Sequence, residues 1–358
     1  MSNGPLTGLK VVEFQGIGPG PHVAMLLADL GAEVVRIERP GHQPMNPVVE
    51  RARHRAAVDL KSEDGLAFVK RALASADVLI EGFRPGVMER LGLGPDAALS
   101  ANPRLVYARM TGWGQDGPLA KAAGHDLNYI AITGALDAIG AKGALPIPPQ
   151  NLVGDFGGGS LYCAFGIMAA LYERERSGKG QVVDAAIVDG VTSLMSFFYG
   201  QPHGPLRTTE RGSGLLGGAA HFYRCYACAD GKEITVGAIE PQFYAELLER
   251  ADAPEALREG QLNPANWDEY TQKLAALFRT KPQAEWVALL EGTDACVAPV
   301  VPLDEAKDHP HMAARGAFVE HGGRSHTAPA PRFDRTPGTI RDSAEDGEAV
   351  VARWAEEG

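Results

Sequence analysis

A short apolar run, Leu9 to Phe14, leads into Gly16-Ile17-Gly18-Pro19-Gly20-Pro21. A helical pattern from His22 to Leu30 follows, closed by Gly31, and then a second apolar run from Glu33 to Ile37. Pro21 suits the first helical position and Gly31 suits the end of a helix. Strand, loop, helix and strand in that order require a crossover connection, so the spacing predicts a parallel sheet and an α/β fold. The loop mimics a dinucleotide fingerprint but has Pro21 where the third glycine belongs. Where that motif wants an acid for a ribose, the second strand ends in Arg36, Glu38 and Arg39. Arginine there suits a phosphate, or simply a solvated strand end.

Further arginines recur where strands end. Arg51, Arg53, His54, Arg55 and Lys61 form the most basic segment. Val58 to Lys61 reads as a short strand leaving a loop, with Ser62 capping a helix from Glu63 to Ala74. Asp77 to Glu81 is the next strand, and it ends in Gly82-Phe83-Arg84-Pro85-Gly86. Ligands of open α/β sheets collect at carboxyl ends of strands, so these arginines together point to a polyphosphate. Yet the net charge is −11 and no long basic run appears, which argues against a nucleic-acid partner.

A chain of 358 residues exceeds one typical domain. Two Gly/Pro-rich stretches, Gln201 to Gly218 and Gly322 to Pro337, read as linkers. The expected division is a large domain over 1–200 rejoined by 325–358, linkers at 201–220 and 311–324, and a small α+β domain over 221–310. Cys163, Cys225, Cys228 and Cys296 are few and scattered, which suits a reducing compartment. No signal-peptide pattern opens the chain, and Ala355 to Gly358 is no targeting signal. No uninterrupted apolar stretch approaches the ~20 residues of a membrane span. The expectation is a cytoplasmic protein without a membrane partner.

Two segments carry the candidate chemistry. Gly124-His125-Asp126-Leu127-Asn128-Tyr129 places a histidine beside a glycine before a helical pattern, and Asn151-Leu152-Val153-Gly154-Asp155-Phe156 places an aspartate likewise, before a helix expected from Gly158 to Arg176. A histidine and an aspartate so placed could move protons on one carbon. Each also has a plain structural reading, His125 as a satisfied histidine and Asp155 as a helix cap. Glu240, immediately before Pro241 and another helix, is the third candidate. Cys225 and Cys228 lack a second ligand pair at zinc spacing, and no metal site is expected.

At these residues the chain resembles the alpha-methylacyl-CoA racemase branch of the family III CoA-transferase superfamily. Val35-Arg36-Ile37-Glu38-Arg39-Pro40, Arg84-Pro85-Gly86, Gly112-Trp113-Gly114, Gly124 to Tyr129, Gly154-Asp155 and Gly237-Ala238-Ile239-Glu240 carry the resemblance. It implies a Rossmann-like large domain, a smaller α+β domain and an interlocked homodimer. It implies that His125 and Asp155 face opposite sides of an acyl-CoA α-carbon, His125 serving the S ester and Asp155 the R ester, with Glu240 hydrogen-bonded to Asp155. Arg39, Val58, Asp59, Leu60, Lys61, Arg84, Gly124, Asp126, Leu127, Asn128 and Tyr129 would lie around coenzyme A, with Arg36 joining its phosphate-binding arginines. The coenzyme is then part of the substrate and no separate cofactor is expected. The alternative is a CoA-transferase in which Asp155 is a nucleophile. Racemases of this group often line the acyl site with several methionines. Here Met195 stands alone beside Phe197, Phe198 and Tyr199, so the acyl group expected is shorter or aryl-bearing.

Overall fold

Continuous apolar strands need cover on both faces, and a parallel sheet between helices supplies it. The computed structural model describes residues 4–342 and 345–357. The expected domain ends at residues 1–3 and 358 lie outside the described residues. The chain divides into two units. The first comprises Met1–Thr133, Pro149–Leu194 and Ala313–Gly358; the second comprises Gly134–Pro148 and Met195–Met312. The segment Gly134–Pro148 thus falls with the second unit, although its sequence position placed it in the large domain. It carries no strand or long helix of its own. Its carbonyls receive the Arg211 guanidinium, which also meets the Asp137 carboxylate at 2.6 Å.

In the first unit six parallel strands, β1 (Lys10–Phe14), β2 (Glu33–Glu38), β3 (His54–Ala57), β4 (Val78–Glu81), β5 (Val106–Thr111) and β6 (Val182–Ala186), lie in the order β3-β2-β1-β4-β5-β6. This is the doubly wound order whose switch point lies between β1 and β4. Val11, Val12, Val34, Val35, Val78, Leu79, Val106 and Tyr107 are fully buried along its centre. The helix Glu63–Ser75 begins where the sequence predicts, its Ser62 hydroxyl accepting the Gly65 N–H at 3.0 Å. Val58 to Lys61 forms no strand. The chain turns there, with Asp59 Oδ1 accepting the Lys61 N–H at 2.9 Å.

After the fifth strand the sequence predicts one helix from Gly158. Instead helical structure begins at Leu152 as a π-helix, Leu152–Leu161, and continues as an α-helix, Tyr162–Ser177. The Phe156 N–H reaches back five residues to the Asn151 carbonyl, at 3.2 Å. The joined rod is long and apolar enough to cross a membrane by length and composition. The expectation of no such stretch is corrected here, because the Gly-rich segment turns out helical and lengthens the rod. It packs on β5, β6 and the Pro19–Asp29 helix, and its far end carries Glu173, Arg174, Glu175 and Arg176.

The rod's tightest neighbour is the helix Ile187–Leu194, and they meet backbone to backbone. A Cβ on Gly190 would lie 1.8 Å from the Gly158 carbonyl oxygen, and one on Gly158 would lie 2.7 Å from the Val191 nitrogen. Only glycine permits this approach.

The second unit has its own core and its own small sheet, antiparallel β7 (Tyr223–Ala227), β8 (Glu233–Gly237) and β9 (Val297–Pro299). Helices Pro241–Arg250, Trp267–Phe278 and Gln283–Leu290 cover it with Tyr244, Leu247, Trp267, Leu274, Phe278 and Trp286. This is an α+β arrangement. Cys225 and Cys228 both belong to its first hairpin, Cys225 exposed and Cys228 buried, and neither is in a disulfide.

Gly190→Ala should therefore destabilise the first unit, by at least ~1–3 kcal/mol for an overpacked site that cannot shift a side chain to relieve it. Urea unfolding is the measurement, with a lower midpoint at unchanged slope as the expected outcome.

Candidate active site

Two clefts open at the carboxyl ends of the strands, where peptide ends and loops converge. One of about 330 Å3 is lined by Gln15, Glu38, Arg39, Val58, Leu60 and Glu81, among others. A second of about 340 Å3 is lined by Gly18, Arg84, Trp113, His125, Tyr129 and Asp155, among others. Ile17, Pro19, Gly82, Phe83 and Met110 border both, so the two form one continuous groove.

The cations around this groove divide by whether an acid already holds them. Arg36 does not belong to the site, which corrects the sequence expectation. It is wholly buried and ion-paired with Glu13 at 3.4 Å, Glu50 at 3.5 Å and Glu38 at 3.7 Å. The reason is register: Arg36 sits beside Glu13 of β1 and Arg55 of β3, inside the sheet, whereas Arg39 lies past the strand's end. The three arginines of the basic segment are consumed likewise. Arg53 pairs with Glu13 at 2.9 Å, Arg55 with Glu38 at 2.8 Å, and Arg51 with Asp29. Arg39, Lys61 and Arg84 are exposed and make no ion pair among the described residues. Arg39 and Arg84 border the groove directly; Asp59 and Lys61 sit in the turn beside Val58 and Leu60.

Sequence reasoning passed over Glu81, which is buried at the end of β4. Its carboxylate accepts the Phe83 N–H at 2.7 Å and the Arg109 guanidinium at 3.0 Å, fixing the loop that carries Arg84. Burial pushes its carboxyl up to about 7, against the pull of those donors. A buried acid directly before a Gly-Phe-Arg loop was its only sequence signal.

His125 is the N-cap of the helix Asp126–Ile132. Its backbone N–H donates to the Asn128 side-chain oxygen at 3.0 Å, one half of a capping box, and the residue is exposed. Leu127 is exposed on the outer face. Tyr129 turns back, its hydroxyl donating to the Gly124 carbonyl and its ring meeting Trp113 edge-on at 4.8 Å. Burial first, then the Asp155 charge, raises the Tyr129 hydroxyl above its ordinary value.

Asp155 is not a helix cap. It lies in the first turn of the π-helix, and its own N–H donates to Asp126 Oδ1 at 2.6 Å. Its carboxyl is pushed up to about 6, by burial first and by the neighbouring Asp126 charge second. A hydrogen bond from the Asn151 side chain and the field of His125 oppose this without cancelling it. Asn151 was not anticipated as a partner, although four residues before Asp155 is one helical turn. Asp126 itself is raised by burial and held down by the backbone N–H groups of Asp155 and Gly154. The groove thus brings together a histidine and a carboxylic acid poised near neutrality, a pairing suited to moving a proton either way.

Glu240 lies in the second unit, exposed, as the N-cap of the helix Pro241–Arg250. Among the described residues no group of three or more His, Cys, Asp or Glu could hold a metal ion.

A doubly wound sheet whose strand-end groove holds a histidine and a raised carboxyl defines the class: an α/β protein with its candidate site at its strand ends. The chain belongs to CoA-transferase family III, which it matches over residues 6–345. It is similar to the alpha-methylacyl-CoA racemase of Mus musculus, 47% identical over 334 residues, covering 93% of this chain and 87% of that one. The Homo sapiens alpha-methylacyl-CoA racemase is 44% identical over 333 residues, with the same shares of 93% and 87%. A solved CAIB/BAIF family protein from Brucella suis superposes with a TM-score of 0.85 at 25% identity, over 98% of this chain and 100% of that one.

Asp126→Asn should keep an acceptor for the Asp155 N–H while removing a like charge. The Asp155 carboxyl is then expected to titrate below about 6. Infrared titration of the protonated-carboxyl band, taken as the difference from Asp155→Asn, reads this directly.

Proposed function

We propose that this protein inverts the α-carbon of 2-methylacyl-CoA thioesters by two-base proton transfer through an enolate. The observation that carries the reading is the shared groove, in which His125 and an Asp155 carboxyl near 6 line the same wall-to-wall cleft. The names of the mouse and human relatives support it. For the S ester, neutral His125 takes the α-proton, the electron pair moves into the thioester carbonyl, and protonated Asp155 returns a proton to the opposite face. For the R ester the roles reverse. A thioester α-proton is weakly acidic, so the enolate oxygen needs dipoles or backbone N–H groups aimed at it.

The unpaired cations Arg39, Lys61 and Arg84 hold the coenzyme's phosphates, and Glu240 supplies a second carboxyl that helps keep a proton on Asp155 in the assembled enzyme. Coenzyme A arrives as part of the substrate, and the proposed steps call for no other cofactor. The acyl group is compact or aryl-bearing, in keeping with the aromatics Phe197, Phe198 and Tyr199. The working form is an interlocked homodimer. Support comes from an apolar stripe left open along one face of the long helix, where Leu161, Phe165, Met168 and Tyr172 are 53%, 74%, 39% and 72% exposed. A cytoplasmic setting, without membrane or nucleic-acid partners, fits four free cysteines and the negative net charge.

Two tests follow from this reading. Incubated in deuterium oxide with a 2-methylacyl-CoA and no acceptor acid, the enzyme should incorporate deuterium at the α-carbon. His125→Ala should lower exchange of the S ester by ~10²–10⁴-fold while sparing more of the R-ester exchange; NMR of each purified epimer reads both. Acyl transfer to added acids without exchange would instead identify Asp155 as a transferase nucleophile. Separately, Arg39→Ala should weaken CoA-ester binding by roughly 1.5–3 kcal/mol, the range for a hydrogen bond to a charged group. Calorimetric titration checks it, and an unchanged Kd removes Arg39 from the site.

A further inference from the structure

The Asp155 carboxyl is set against the start of the Pro19–Asp29 helix. Gly18 is the N-cap of that helix, with φ at 68°, and a Cβ built on it would lie 2.8 Å from Asp155 Oδ2. Pro19 borders the same cleft as Asp155, and its ring packs on the π-helix one turn further along, 3.3 Å from where a Gly159 Cβ would stand. A helix start normally presents several unpaired N–H groups and favours an anion. Here the first three helical residues are Pro19, Gly20 and Pro21. Two of the three have no N–H to offer, and among the described residues no backbone N–H of this helix donates to the Asp155 carboxylate.

We propose that Pro19 and Pro21 strip this helix start of hydrogen-bond donors so that the carboxyl facing it can hold a proton, which makes Pro19 a positioning residue for Asp155. The inference rests on the two-base reading. One direction of that reaction starts from a protonated Asp155 and the other from its carboxylate, so a helix start with all its donors would fix the second form and slow the first. The charged and titratable groups bearing on Asp155 are Asp126 and His125, with Tyr129 and Arg84 on the same cleft. The Pro19–Asp29 helix brings His22, whose ring stacks on Phe156 and whose Nδ1 meets the Ser160 hydroxyl at 2.6 Å. The Ile187–Leu194 helix approaches the π-helix with Gly190 and Val191. None of these is altered by restoring an N–H at residue 19.

The test uses Pro19→Ala and Pro19→Val in the full-length protein; both restore the N–H, and valine keeps more of the ring's bulk against Gly159. Thermal unfolding establishes that each is folded. Infrared titration of the Asp155 carboxyl, referenced to Asp155→Asn, should show its midpoint falling by about one pH unit in both, the expected size for one added donor to a charged group. The acid limb of α-proton exchange should move to lower pH with it. An Asp155 midpoint unchanged in both folded variants overturns the inference. Wild-type protein that exchanges no α-proton overturns the racemase reading instead, and the infrared midpoint still decides the donor question.

Discussion

Backbone lies against backbone where Gly158 of the π-helix crosses Gly190 of the following helix. The approach leaves no space for a side chain on either helix at the crossing. It presses the Leu152–Leu161 segment down onto the last strands of the sheet, and that segment carries Asp155. The wide π geometry and the run Gly157-Gly158-Gly159 belong to the same solution, since a wider helix without side chains can sit closer to its neighbours. The carboxyl's hold on a proton follows from the depth at which this leaves it. It is buried enough to lose much of its solvation, yet still on the wall of an open groove.

The same trade of solvation against pairing explains the charges. Inside the sheet, Glu13, Arg36, Arg53, Glu38, Glu50 and Arg55 form one network with almost no exposure at its centre. Buried ions are tolerable when paired and costly when not, so these arginines are committed to one another's acids. The cations left over stand beyond the strand ends. An acidic protein can therefore hold an anionic ligand, because a few unpaired charges decide the local field while the net charge does not.

Much of the first unit was legible in the chain itself. Periodicity and turn residues placed β1 and β2 within a residue, and Ser62 marked a helix start for a local reason; the first helix was found too, but it starts at Pro19 rather than Pro21. These are short-range matters of propensity, capping and apolar spacing, which act between residues near one another in sequence. His125 and Asp155 were found as a polar residue beside glycine at the edge of an apolar helical pattern.

Tertiary structure alone separated residues that look alike in sequence. Arg36 and Arg39 sit three apart on one strand end, yet one is sealed among carboxylates and the other faces the groove, because register across three strands decides which side chains meet. The Gly-rich segment before Ser160 became helix because a second helix twenty-odd residues away offered Gly190 to pack against. Asp155 proved to be no cap, since its place in the π-turn depends on that crossing. The causes of its raised affinity for a proton were not legible, because burial, Asp126, Asn151 and His125 converge on it from different elements. Sequence determined which chemistry was available, through local rules. Long-range packing decided where water is excluded, and so which acids and bases can exchange protons near neutrality.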